Sequence, residues 1–169
     1  MTPEITDIPI PLEAQLSPND QYTNFDVPIF KALNGWNTIL PFLQPGNFLV
    51  VFESIRKPNA TDNQPIGKLL EQADAAAYEE VTSMPGFLGY FRGPLDNTSG
   101  ACRSFCIWED EATAKISGQQ PKHQDAVNLT STAYDQYRVR RYTVVESNGQ
   151  LMFEGVFPRR DQRGENNEK

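Results

Sequence analysis

Residues 47–56, Asn47-Phe-Leu-Val-Val-Phe-Glu-Ser-Ile-Arg56, are apolar on both faces of an extended chain until Glu53 interrupts them. A strand of that kind belongs in a sheet covered on both sides. Glu53 is the exception within it, because a buried carboxylate is costly unless it is paired. Two readings follow. Glu53 meets an arginine on a neighbouring strand, with Arg92, Arg138, Arg140 and Arg141 as candidates, or it lines a cavity.

The elements around this strand set the architecture. Residues 1–46 hold seven of the thirteen prolines, which forbids long helices and central strands there. Residues 1–24 read as an extended arm. Ile29, Leu33, Trp36 and Leu40 mark one face of a short helix within 28–43. From Pro65 to Met84 runs the clearest helix, with Ile66, Leu69, Leu70, Ala73, Ala76, Ala77, Val81 and Met84 as its apolar stripe. Pro85-Gly86 ends it. Strands follow at 87–92 and 102–109. Asp110 then caps a helical stretch broken at 118–121, and its second piece carries His123, Val127, Thr130 and Tyr134 at helical spacing. Tyr137–Val145 reads as a fourth strand, Ser147-Asn-Gly149 as a hairpin turn, and Gln150–Phe157 as a fifth strand. The polar stretch 158–169 reads as a disordered tail.

The order β-α-β-β-α-β with an added strand is the ferredoxin-like α+β arrangement over residues 47–157. Its helices cover one face of an antiparallel sheet. The other face is rich in aromatic and branched residues, so a second copy of the sheet is the expected cover.

Charge narrows the partners. With 15 basic against 22 acidic side chains, the chain lacks the clustered positive surface that nucleic acid requires. No apolar run reaches the roughly 18 residues of a membrane helix. The N-terminal residues lack the basic and apolar regions of a secretory signal, so a cytosolic protein is expected. Cys102 and Cys106 lie on one strand face, some 13 Å apart by strand rise, and read as small buried residues rather than a disulfide. One histidine and these two cysteines do not make a zinc or iron cluster. Phosphate-loop, dinucleotide and serine-nucleophile signatures are missing too. Chemistry without a cofactor, or binding alone, is the expectation.

Several side chains could line a pocket. Tyr90 and Arg92 alternate onto one face of their strand, where a hydroxyl and a guanidinium could polarise a carbonyl. Tyr142 shares a face with Arg138 and Arg140. Trp108 closes its strand as a pocket wall or a core anchor. Phe52, Phe91, Tyr142 and Arg140 join Trp108 as expected substrate contacts. The plain alternative for each is aromatic packing with arginines at the rim.

The segment Phe-Cys-Ile-Trp108-Glu-Asp, followed by a helix start, Gln-Gln-Pro121-Lys-His123-Gln and a strand rich in Arg and Tyr, resembles the dimeric α+β barrel superfamily. That group includes antibiotic-biosynthesis monooxygenase-like proteins, stress-responsive barrels and small polyketide cyclases. The resemblance covers residues 47–146, and Pro45 to Ala60 is also similar to a fungal protein family of this layout. It implies a homodimer and a pocket between sheet and helices, without metal or organic cofactor. It also implies that His123 can face the pocket as acid or base, a role its ordinary pKa suits, with a structural histidine as the alternative.

The favoured activity is a cofactor-independent cyclase of secondary metabolism. It would close a ring in a hydrophobic terpenoid or polyketide by [4+2] or aldol-type chemistry, with positioning supplying much of the rate. His123, Glu53, Arg92 and Tyr90 are its expected catalytic groups. A cofactor-free monooxygenase acting on a phenol or anthrone is the second reading, and a non-catalytic small-molecule-binding dimer the third.

Overall fold

The strand that anchors the sequence reading anchors the sheet. In a computed structural model, which describes residues 13–15, 40–92 and 95–156, β2 (Phe48–Arg56) lies between β4 (Ala101–Trp108) and β5 (Tyr134–Ser147), antiparallel to both. Beyond β4 comes β3 (Phe87–Arg92), and beyond β5 comes β6 (Gln150–Gly155). A three-residue strand, β1 (Glu13–Gln15), adds to β3 in parallel and completes the order β1-β3-β4-β2-β5-β6. The four strands β3-β4-β2-β5, with the helices between them in sequence, are the ferredoxin-like core.

The pleat of β2 divides two layers. Phe48, Val50 and Phe52 face the helices: α1 (Pro65–Thr82), α2 (Glu111–Gly118), α3 (Pro121–Asn128) and the single turn α4 (Thr130–Ala133). Leu49 and Val51 face the other way, packing with Phe91, Phe105, Ile107 and Val144.

This helix-free face corrects one argument. Leu49, Val51, Phe105 and Ile107 are wholly buried within the single chain, and Leu43 packs among them. The face is not left wet, so its apolar character does not by itself require a second copy. Some described residues before 47 also join this domain: Glu13–Gln15 pair with β3, and Phe42 and Leu43 pack in the helix-free core. Of the expected helix over 28–43, the described end is a 3-10 turn, Leu40–Phe42. Its remainder, most of the arm and the tail lie outside the described residues.

Local signals account for most boundaries. Asp110 caps α2 by accepting from the Thr113 N–H at 2.8 Å, and Thr113 Oγ1 accepts in return from the Asp110 N–H. The hairpin joining β5 to β6 has positive φ at Asn148 (52°) and Gly149 (76°), the backbone a tight two-residue turn needs. Two expectations shift. Tyr134 opens β5 rather than closing a helix, and its ring stacks on Tyr137 at 5.2 Å. Leu69 is 53% exposed, because the buried stripe of α1 runs through Gly67, Leu70 and Val81 instead. No helix among the described residues is long and apolar enough to cross a membrane.

Gly67 is where α1 passes closest to the loop before it. A Cβ there would overlap the backbone carbonyl oxygen of Thr61, and backbone does not give way as a side-chain end can. Gly67→Ala should therefore cost about 1–3 kcal/mol despite alanine's better helix propensity. Urea unfolding measures it, and an unchanged midpoint would show that the loop yields freely.

Candidate functional site

Between the helix-side face of the sheet and α1, α3 and α4 lies a cavity of about 130 Å³. A groove of about 370 Å³ adjoins it on the β5 side, and residues common to both walls include Phe52, Cys106, Trp108, His123 and Tyr137. The sheet supplies alternate residues to this space, as strand geometry requires: Phe52 and Ser54 from β2, Tyr90 and Arg92 from β3, Cys102 to Trp108 from β4.

The apolar wall is aromatic. Phe87 meets Trp108 edge-on at 5.2 Å, and Tyr78 on α1 lies 5.8 Å from Tyr90. Trp108 Nε1–H donates to Cys106 Sγ at 3.1 Å, so its indole orientation is fixed. Burial pushes the Cys106 thiol up to about 12, and Cys102 is raised for the same reason. Neither is in a disulfide, and both line the cavity as protonated thiols.

The inner end is polar, and it contains a group that sequence reasoning missed. Asp74 projects from α1 into the cavity. Its carboxyl is raised above the ordinary aspartate value, chiefly by burial, against the opposing pull of Arg92 and Arg56. Asp74 stands four residues after Leu70 and seven before Val81, so helical spacing alone places it on the buried stripe. A stripe drawn from apolar residues only passes over it.

Around Asp74, burial works against the charge of Arg92, but Tyr90, Cys102 and Asp74 outweigh it and keep the guanidinium firmly protonated. Tyr90 is raised by burial and by Asp74, while a side-chain hydrogen bond with Ser104 opposes the shift. It therefore stays a neutral donor. Arg56, also in the wall, is committed to Asp62 at 2.8 Å. Tyr134 is raised by burial too. The inner end thus holds one carboxyl poised for proton transfer, one cation and neutral phenols.

His123 sits where the two chambers meet. Glu80 on α1 fixes its backbone: the carboxylate accepts from the Lys122 N–H at 3.2 Å and the His123 N–H at 3.3 Å. Burial lowers the imidazole pKa while Glu80 opposes this, so the ring is neutral at pH 7.

The remaining expected residues lie on the opposite face. With Phe52 and Ser54 in the cavity wall, Glu53 must point away from it. It is completely buried among Arg103 (2.9 Å), Arg138 (2.7 Å) and Arg140 (3.1 Å), so of its two readings the structure has the ion pair. Arg92 and Arg141, both offered as its partners, face the cavity side. Arg103, directly opposite Glu53 on β4, was not considered. Phe91 stacks on Phe105 at 4.9 Å, and Tyr142 packs against the same helix-free core. Phe91, Tyr142, Arg140 and Glu53 therefore stand apart from His123, Tyr90, Arg92, Phe52 and Trp108, which the cavity brings together.

Comparison with known proteins adds three findings. A family model described as PB2B2.08-like matches residues 21–155. A search of curated proteins finds no match. Among solved structures, a proposed antibiotic biosynthesis monooxygenase of Caulobacter crescentus aligns with a TM-score of 0.50 at 15% identity, over 60% of this chain and 92% of its own. SnoaB, a cofactor-independent oxygenase from Streptomyces nogalater, aligns with a TM-score of 0.48 at 10% identity, over 62% and 99%. At 15% identity, the likeness to the Caulobacter crescentus protein shows the fold alone.

Removing the Glu53 carboxylate leaves the buried Arg103 without its counter-charge. Glu53→Gln should cost about 3–5 kcal/mol in urea unfolding, with ligand binding in the cavity unchanged in whatever fraction remains folded. A loss of binding without a loss of stability would move Glu53 into the site.

Proposed function

This chain belongs to the PB2B2.08-like family, and we propose that it is a cofactor-independent enzyme of proton abstraction. It would ionise a C–H or O–H acid on a hydrophobic substrate and so start a ring closure of the aldol type. The observation that carries this reading is Asp74, a carboxyl with a raised pKa, in one cavity with Arg92 and Tyr90.

Each group has a distinct part. Asp74 as carboxylate takes the proton, and its raised pKa makes it a better base than an exposed aspartate. The oxyanion that forms lies against the Arg92 guanidinium and the Tyr90 hydroxyl, donors already in place and shielded from water. Phe52, Phe87 and Trp108 hold the apolar body so that its internal electrophile meets the nascent carbanion. The alkoxide that ring closure forms takes back the proton Asp74 holds, and His123, neutral and further out, donates a hydrogen bond to the substrate. A homodimer is part of the proposal by resemblance alone.

A second reading begins from the same anion. If dioxygen meets the carbanion in place of an internal electrophile, the enzyme is a monooxygenase, and the fold shared with the Caulobacter crescentus protein favours keeping that reading.

Deuterium exchange tests the common first step. With 2-tetralone in D2O, the protein should speed loss of the α-proton signal, and Asp74→Asn should cut that rate by about 10²-fold or more. Equal rates in the two proteins would overturn the reading. Oxygen uptake with anthrone then separates the two outcomes.

The same residue makes a stability prediction. A carboxyl whose folded pKa is raised binds its proton more tightly in the folded chain than in the unfolded one. Its stabilising share is complete below the ordinary value of 3.8 and is lost as pH rises through the folded value. Asp74→Asn is neutral throughout and escapes that loss. It should unfold at higher urea than the parent at pH 7, with the gap closing in acid.

A further inference from the structure

The outer groove is more than the mouth of the cavity. It runs along the helix-side face of β5, past Val139 and Arg141, and is bounded across from them by Lys115 and Gly118 at the end of α2. The helices leave this strip open: Tyr137 is 39% exposed and Val127 38%. Phe48 and Val50 in its wall are already buried, so the apolar surface it offers is that of the half-buried Val139 and the more open Val127 and Tyr137.

Gly118 is the informative residue. It ends a regular helix, its φ lies outside the left-handed region, and a Cβ built on it would meet nothing within 4 Å. Neither backbone conformation nor close packing calls for glycine there. What the missing side chain leaves is space on the groove.

We propose that the groove seats a long apolar chain of the same molecule whose acidic head lies at Asp74 and Arg92, and that Gly118 sets the length of chain admitted. The occupant is an amphiphile with one enolisable or phenolic head and an unbranched hydrophobic tail. Two observations fix its direction. The chambers adjoin at Phe52, Trp108 and His123, so a ligand seated at the inner end would extend toward the groove past these side chains. The two cations differ in setting: Arg92 is half-buried in the wall of the inner end, whereas Arg141 is exposed, where water weakens a charge contact. The inference rests on the proton-transfer reading only for the nature of the head.

Calorimetric titration with 5-alkylresorcinols bearing methyl, propyl, pentyl and heptyl chains tests it on the full chain. In the parent protein, affinity should rise about fourfold per methylene, the gain for burying one CH2. Gly118→Leu should leave the methyl compound within twofold and weaken the heptyl compound at least tenfold, with Gly118→Ala between them. Arg92→Met should weaken every member by a similar factor, and Arg141→Met none by more than twofold. Equal loss across the series in Gly118→Leu, or no loss, overturns the proposal. So does a series sensitive to Arg141→Met and indifferent to Arg92→Met, which would put the head at the mouth. Sedimentation adds a further check. A dimer that Gly118→Leu dissociates, with the length series unchanged, would give the groove to a second copy instead. The two readings fail separately: length-dependent binding without deuterium exchange keeps this one and sinks the enzyme. Exchange that requires Asp74, with binding blind to chain length, does the reverse.

Discussion

One buried carboxylate ties the centre of this sheet. Glu53 stands directly opposite Arg103 on β4 and Arg138 on β5, and bonds to both, with Arg140 beside them. A one-residue slip of either neighbour would turn its arginine to the other face and strand the charge in an apolar layer. The cluster therefore penalises every slip that exchanges the two faces of a strand. Register decides which side chains face the helices, so the composition of the cavity wall follows from an ionic contact on the far side of the sheet. Phe52, Tyr90 and Trp108 reach the cavity because Glu53, Phe91 and Ile107 do not.

The inner end of the cavity shows the opposite use of charge. Glu53 has three guanidiniums close enough to bond, whereas Asp74 has Arg92 and Arg56 near enough to influence it but not to cancel its desolvation. Arg56 is held by Asp62, which leaves Arg92 as the cation free to meet a ligand's oxyanion. A carboxyl left in that state costs stability at neutral pH. Natural sequences keep such groups where function repays the cost. The same sheet thus carries one acidic residue neutralised by its neighbours and faces another that burial leaves short of compensation.

How much of this the sequence discloses depends on how local each cause is. The apolar run of β2, the Asp110–Thr113 cap and the Asn148-Gly149 turn are written in adjacent residues, and all were legible. Strand alternation correctly separated Tyr90 and Arg92 from Phe91, yet it did not say which face met the helices, so Phe91 and Tyr142 were expected beside the substrate. Arg103 went unnoticed because only register puts it opposite Glu53. The helix-free face is buried by residues from β2, β3, β4 and β5 together with Leu43, a grouping that only the folded sheet assembles. Asp74 was legible in principle, since helical spacing from Leu70 gives its direction. It was missed because a polar residue on a core stripe looks like an interruption, when it is better read as a question about what the helix faces.

The cavity and its groove also bear on how the fold could change substrates without changing its core. Residues at the inner end belong to the sheet and to α1, whose positions are fixed by the register of β2 and by the close passage of Gly67 over Thr61. The groove is walled by buried core residues, Phe48, Val50 and Trp108, and rimmed by Lys115, Val127 and Arg141, which are exposed. The Glu80 carboxylate ties the N-terminus of α3 to α1 beside it. Under the proposed function, substitutions at that rim would change the shape of the groove at little cost in packing, whereas those at the inner end would disturb the burial that raises Asp74 and Tyr90.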